Sequence, residues 1–178
     1  MAMGGAVWVA AGGVRDAIGD NAVLSVRLGA DDGIGEAGTL PTDFEHVIPA
    51  LEQCGVDMLE ISLGTAETAF NVGRTEEMIE KMMSVVRVIR EFSSVPIGFA
   101  GLVDSLKSAE EILSSGVADF VGMGRALFAD NDLIHKTLAG RDAAIFRCRW
   151  DGQCSKDKFN PKYSRVYCCV NPKYIRPT

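Results

Sequence analysis

Apolar residues along the chain form four short runs, each followed by a longer stretch in which apolar residues recur every three or four positions. Such short aliphatic runs are typical of strands buried on both faces of a sheet, whereas the longer stretches are typical of amphipathic helices. The alternation predicts βα units that build a parallel sheet, hence an α/β fold. The predicted strands cover residues 23–28, 56–62, 95–99 and 118–123.

The stretches between these strands carry signals for helix starts and ends. Thr42 with Glu45 three positions later forms a capping box, which predicts a helix that ends at Gly55. Further helices are predicted over residues 7–18, from Thr75 onward, and from Asp104 or Ser105 to just before Gly116.

Composition narrows the function classes. A net charge of −6 over 178 residues, with scattered Lys and Arg, argues against a nucleic-acid partner. No apolar run reaches the roughly 18 residues of a membrane span, and no basic segment precedes the apolar N-terminus, so a cytoplasmic protein without a membrane partner is expected.

The periodicity ends after Gly140, which predicts two parts: a βα part over residues 1–140 and an irregular tail over 141–178. Four of the five cysteines lie in this tail, between Cys148 and Cys169. Cys54 stands apart, and no secretory signal is present, so a metal or redox cluster is favoured over a disulfide framework.

Two glycine-rich turns carry the most informative chemistry. They are residues 98–101 and, about twenty positions later, residues 122–130. Glycines at a turn between strand and helix let backbone N–H groups approach an anion, and Arg125 can add a bidentate charge-assisted contact. In the alternative interpretation the glycines only relieve crowding and Arg125 pairs with a surface acid. Leu127 replaces the third glycine of a dinucleotide fingerprint, so a Rossmann fold is not favoured.

Several segments together resemble successive signatures of the old yellow enzyme or NADH:flavin oxidoreductase family, in its 2,4-dienoyl-CoA reductase-like branch. They follow the family's order at compatible spacings: residues 26–28, 54–57, 95–101, 118–130 and 169–172. The resemblance corresponds to the last four strands of that family's barrel. It implies a parallel (β/α)4 half of a TIM barrel, where a complete barrel has roughly 250 residues.

The resemblance also implies a cofactor site. Gly101, Gly124 and Arg125 would hold the phosphate of FMN, and Arg27 would lie near the flavin pyrimidine, where a cation stabilises the reduced flavin. NAD(P)H would be the electron donor and a small molecule the substrate. For Arg27 an ion pair with Glu60 on the neighbouring strand is an alternative or an addition.

Some members of this family carry a four-iron, four-sulfur (4Fe-4S) cluster after the barrel, which by resemblance would use Cys148, Cys154, Cys168 and Cys169. Here Asp151 or Gly152 occupies the second ligand position, and the spacing is one residue short. Free or buried thiols in a degenerate tail are the alternative.

The family's substrate-binding His pair and its proton-donating Tyr come from earlier strands, so no catalytic residue is identified. The two histidines, His46 and His135, fall on predicted helices. Two hypotheses follow: an FMN-dependent ene-reductase component that needs a completed barrel, or a non-catalytic or truncated half barrel with a vestigial phosphate site. Four curled strands would leave two edges and an apolar inner face open, so a second copy or a complementary half-barrel chain is expected.

Overall fold

The computed structural model describes residues 2–64 and 73–176, with side chains from residue 8 onward. Strands and helices alternate up to Gly122, and short helices follow. The strands are β1 (Ser25–Gly29), β2 (Met58–Ser62), β3 (Ile97–Ala100) and β4 (Phe120–Gly122). The α-helices are α1 (Ala2–Ile18), α2 (Val47–Gln53), α3 (Glu76–Phe92), α4 (Leu106–Ser114), α5 (Gly124–Ala129), α6 (Leu133–Leu138) and α7 (Gln153–Lys158).

The four strands form one parallel sheet in the order β1-β2-β3-β4. All four predicted strands are present, and each begins two residues later than its apolar run. At the starts of β1 and β3 this reflects side-chain hydrogen bonds: the N–H groups of Leu24 and Ile97 donate to the carboxylates of Asp57 and Asp119, both at 2.7 Å.

The same two aspartates receive an arginine each from the helix that precedes the bonded strand. Arg15 of α1 donates to Asp57 at 2.5 Å, and Arg90 of α3 donates to Asp119 at 2.7 Å. The structure therefore repeats one arrangement at the N-terminal ends of β1 and β3. We call these two groups the aspartate clamps.

Helices cover one face of the sheet. Leu28, Ile61 and Phe99 lie side by side on neighbouring strands and point toward that face. They are buried in one core with residues of α2, α3 and α4. The opposite face carries the aligned row Arg27, Glu60, Gly98 and Phe120. This inner face is not the apolar surface expected from the sequence, because an ion pair between Arg27 and Glu60 lies across it.

Open apolar surface lies instead on α1. Of the α1 side chains described, only Ala11 is buried, and Val9 is 70% exposed. Val14 and Ile18 are also exposed, as is Val23 ahead of β1 at 71%. A helix with apolar residues on all sides is usually covered on all sides, so this face of α1 is suited to a further packing element.

Two of the predicted helix starts are confirmed and one is wrong. Thr75 caps α3 by accepting from the N–H of Met78 at 3.2 Å, and Ser105 caps α4. The capping box at Thr42 does not open a helix. Asp43 instead accepts from the N–H of Leu40 at 2.8 Å, which stabilises a single 3-10 turn, and α2 begins only at Val47.

The C-terminal tail is mostly irregular, as predicted, with the short helix α7 as an exception. Asp130, only 3% exposed, fixes the start of the tail. Its carboxylate accepts from Lys136 Nζ at 2.6 Å and from the N–H of Phe146 at 2.9 Å. Asn171 then donates to the carbonyl of Phe128 at 2.9 Å. The tail is therefore bound back onto the βα part. Within the described residues, no helix is long and apolar enough to cross a membrane.

Candidate functional site

A cavity of about 1010 Å³ opens where the carboxyl ends of the four strands meet. This is the edge at which parallel βα folds place their ligands, because the loops after the strands converge there. Its volume is at the upper end of the range typical of ligand pockets. Its charged and polar lining comprises Arg27, Asp31, Glu60, Ser62, Lys81 and Arg125.

The structure brings the four predicted cofactor residues together on this cavity. Arg27, Gly101, Gly124 and Arg125 all line it, although they come from three different strand ends. Gly101 has φ +148°, a conformation that L side chains rarely adopt, and a Cβ at Gly101 or Gly124 would meet no atom within 4 Å. Both glycines therefore present bare backbone to open space. That they bind FMN stays a prediction.

Arg125 is half-buried and has no acidic partner among the described residues. Burial lowers the pKa of its guanidinium, an effect opposed by the nearby Cys148 and Cys154 thiols. The ring of Trp150 lies over the guanidinium at 4.2 Å. The alternative interpretation, a pair with a surface acid, is thus not realised in the described part of the chain. A partly desolvated cation that faces a cavity is suited to an anion.

Arg27 does form the predicted pair with Glu60, while both side chains line the cavity. The Arg27 side chain remains 61% exposed. Pairing and a place near a ligand are therefore compatible for this residue.

Three features of the cavity escaped the sequence analysis. Lys81 of α3 pairs with Asp31 at 3.2 Å. Arg74 donates to the carbonyl of Leu102 at 2.8 Å, beside Gly101. Trp150 comes from the tail. Asp31 could have been found, because it lies three residues after the end of a predicted strand, whereas no local signal connects Trp150 with a strand end.

The cysteines of the tail do not form a recognisable metal site. In the described ranges, no three His, Cys, Asp or Glu side chains converge as a metal ion requires. Cys169 Sγ instead lies 3.3 Å from the Asp151 carboxylate. Burial raises the pKa of the Cys148 and Cys169 thiols. The residues present do not fit a 4Fe-4S cluster in this arrangement, and the prediction of one gains no support.

Neither histidine lines the cavity. His46 precedes α2, and His135 lies within α6.

Fold and site together define a parallel βα protein whose strand ends and glycine turns surround a pocket, which the partly buried Arg125 faces. Residues 11–143 match the sequence model of the NADH:flavin oxidoreductase / NADH oxidase family. That range is more than half of the chain, and the chain therefore belongs to this family. The resemblance predicted from the motifs is confirmed.

Two curated relatives support the family assignment. The chain is 29% identical over 138 residues to an NADH oxidase of Thermoanaerobacter brockii, a match that covers 76% of this chain and 21% of that protein. It is 30% identical over 144 residues to a bilirubin reductase of Mediterraneibacter gnavus, covering 77% of this chain and 22% of that protein. The chain thus spans about a fifth of the length of these curated relatives.

A solved structure of a 2-naphthoyl-CoA reductase with 2-naphthoyl-CoA superposes with a TM-score of 0.79 at 22% identity, covering 94% of this chain and 26% of that one. At this identity the likeness shows the fold alone. The prediction of a parallel half TIM barrel is confirmed.

Proposed function

We propose that this chain binds the phosphate end of FMN and forms part of an NAD(P)H-dependent flavin oxidoreductase of the ene-reductase type. The observation that carries the proposal is Arg125, a partly buried cation without an acidic partner among the described residues, which faces the same cavity as Gly101 and Gly124. Family membership and the volume of the cavity support it further.

Each residue has a defined task in this proposal. The backbone N–H groups at Gly101 and Gly124 approach the phosphate, and Arg125 supplies a planar pair of N–H donors to its oxygens. Arg27 offers positive charge from β1, the edge strand on the far side of the sheet from Arg125, with Glu60 limiting its movement. Bound FMN would supply the redox chemistry, accepting hydride from NAD(P)H for transfer to an electron-poor alkene or similar acceptor.

Activity also requires the rest of a barrel. In the described part of the chain, β1 pairs only with β2 and β4 only with β3, so two strand edges are open. Exposed apolar residues are also present on α1, at Val9, Val14 and Ile18, and directly ahead of β1, at Val23. We propose that further strands cover this face, from a complementary half barrel or from a second copy of this chain.

The competing hypothesis is a half barrel whose phosphate site no longer serves turnover. The ion pair between Arg27 and Glu60 favours it, because a paired arginine gives less net positive charge to a reduced flavin. The two hypotheses differ in whether bound flavin can be reduced by NAD(P)H.

Titration with FMN and with riboflavin, which lacks the phosphate, tests the proposal directly. Arg125→Ala should weaken FMN binding about 10- to 100-fold, since a charge-assisted hydrogen bond contributes about 1.5–3 kcal/mol, and should leave riboflavin binding unchanged. Arg87→Ala is the matched control, because Arg87 is exposed on α3 and pairs with Glu80. If the wild type does not prefer FMN over riboflavin, or both variants bind FMN alike, the phosphate site is wrong.

Light scattering during the same titration tests completion of the barrel. If a second copy of this chain supplies the further strands, a mass above the 19.1 kDa of one chain is expected, and it should fall to that value for Val9→Glu with Val14→Glu. Leu138→Glu is the control, because Leu138 is equally apolar and exposed but lies on α6. A wild-type chain that stays monomeric and still binds and reduces FMN would contradict the need for a partner.

A further inference from the structure

Trp150 connects the tail with the cofactor cavity. It lies beyond the family match, which ends at residue 143, and sits among the tail cysteines. Its ring nevertheless lines the cavity and lies 4.2 Å from the guanidinium carbon of Arg125. Neither the proposed phosphate contacts nor the cysteine chemistry accounts for this aromatic residue.

The backbone at Trp150 is strained. Among the described residues other than glycine, only Leu102 and Trp150 have positive φ, at +60° and +55°, and both line the cavity. Left-handed backbone at a bulky residue costs free energy and persists where surrounding structure imposes it. Here the Trp150 N–H donates to Cys148 Sγ at 3.4 Å, and Gly152, at φ +70°, starts α7 directly afterwards. The turn thus holds the ring toward Arg125.

The contact with Trp150 leaves the hydrogen-bonding groups of Arg125 available, because the Arg125 side chain makes no hydrogen bond within the described part of the chain. All N–H donors of a guanidinium lie in its plane, so a ring packed on one of its faces does not occupy them. A ring at 4.2 Å excludes water from that face and restricts rotation of the side chain. The donors can then point in the plane, toward the turn formed by Gly124.

We infer that Trp150 is a positioning residue of the phosphate site, which fixes the guanidinium of Arg125 so that its edge faces the phosphate of the cofactor. This gives the tail a task in flavin binding that requires no metal. The inference rests on the proposed FMN site, since it concerns the same arginine.

The test compares three variants by their preference for FMN over riboflavin. Trp150→Leu keeps apolar bulk without a π face, Trp150→Phe keeps a smaller π face, and Trp150→Gly suits the positive φ while removing the ring. A cation–π contact of the usual strength corresponds to about a 3- to 30-fold effect on affinity. Trp150→Leu and Trp150→Gly should lower the affinity for FMN by this factor and leave the affinity for riboflavin unchanged. Trp150→Phe should retain most of the preference for FMN over riboflavin.

Two further measurements separate positioning from a merely structural role. In an Arg125→Ala background, Trp150→Leu should have no additional effect on FMN affinity, because the residue it positions is absent. Trp150→Gly should be at least as resistant to urea as Trp150→Leu, so a common loss of FMN preference in both cannot come from unfolding. Because the chain has two tryptophans, Trp8→Phe leaves Trp150 as a single probe, whose emission should be quenched by FMN.

The outcomes distinguish the two proposals. If the wild type prefers FMN, and the folded Trp150→Leu and Trp150→Gly variants keep that full preference, Trp150 does not position Arg125. The proposed function then stands while the inference fails. An additional loss in the Arg125→Ala background would also overturn it. If the wild type binds no FMN, the proposed function fails, and the inference fails with it.

Discussion

Gly98 in β3 provides space for the ring of Phe120 in β4, and its replacement by alanine offers a quantitative test of the inner face. A Cβ at Gly98 would lie 2.2 Å from Phe120 Cε2 and 2.4 Å from Cζ. Favourable carbon–carbon contacts lie at about 3.5–4.0 Å, so the ring must retreat by more than about 1 Å. Phe120 is only partly buried, which makes that movement possible at a cost.

The expected magnitude follows from two opposing terms. Overpacking typically costs about 1–3 kcal/mol, whereas replacing glycine within a strand gains about 0.5–1 kcal/mol from the unfolded chain. Gly98→Ala should therefore lower the free energy of unfolding by about 1–2 kcal/mol. In a Phe120→Ala background the clash disappears, and the same change should be neutral or slightly stabilising, which gives a coupling energy of about 2 kcal/mol.

Urea denaturation followed by circular dichroism measures all four proteins of this cycle. Gly13→Ala in α1 is the matched control, because its Cβ would meet no atom within 4 Å, and it should be stabilising by up to about 1 kcal/mol. Equal stability losses for Gly98→Ala in both backgrounds would show that Phe120 does not lie over Gly98, and the alignment of the inner row would be wrong.

Three further predictions concern the tail, the cavity and the response to acid. Asp130→Ala should destabilise the chain by about 3 kcal/mol in urea, because it leaves Lys136 without its buried partner; equal stability of the variant and wild type would contradict this. Gly101→Ala, at φ +148°, should cost about 1–3 kcal/mol of stability and weaken FMN binding, measured by urea denaturation and FMN titration. Asp119 has its pKa lowered, mainly by the hydrogen bond from the N–H of Ile97 and, against the effect of burial, also by Arg90. Its carboxylate therefore stabilises the fold above the ordinary pKa of 3.8, and this contribution is lost as pH falls through the lower folded value. Asp119→Asn should be less stable than wild type at pH 7, and the difference should disappear as acid protonates Asp119, which thermal melts across pH would show.

Much of the fold was predictable because its signals are local. The strand runs of a parallel sheet are apolar and short, and Thr75 and Ser105 each stand at the first turn of the helix they cap. The prediction of a helix that starts at Thr42 was wrong because two local signals competed, and the nearby Asp43 accepts from the N–H of Leu40 instead. The two-residue delay of β1 was not predictable either, since it depends on Asp57, which is distant in sequence.

The candidate site was predictable only in part. Gly101, Gly124 and Arg125 follow strand ends, and strand ends of a parallel sheet converge on one edge, so alternation and motif order sufficed to bring them together. Trp150 reaches the same edge through tertiary contacts of an aperiodic tail, beginning with the bond from the N–H of Phe146 to Asp130. No periodic pattern encodes such a path.

The N-terminal ends of the strands contribute to stability, whereas the C-terminal ends form the candidate site. At the N-terminal ends of the strands, the aspartate clamps pair every charge they contain: Asp57 with Arg15 and Asp119 with Arg90. At the C-terminal ends, Arg125 faces the cavity with no described acidic partner. A charge that is already paired is stabilised little by a charged ligand, whereas an unpaired and partly desolvated charge is stabilised strongly. Ligand binding is therefore favoured at the C-terminal ends of the strands. Loss of a clamp in Asp119→Asn should thus change stability without changing the affinity for FMN, whereas Gly101→Ala should change both, since its strained backbone belongs to the cavity itself.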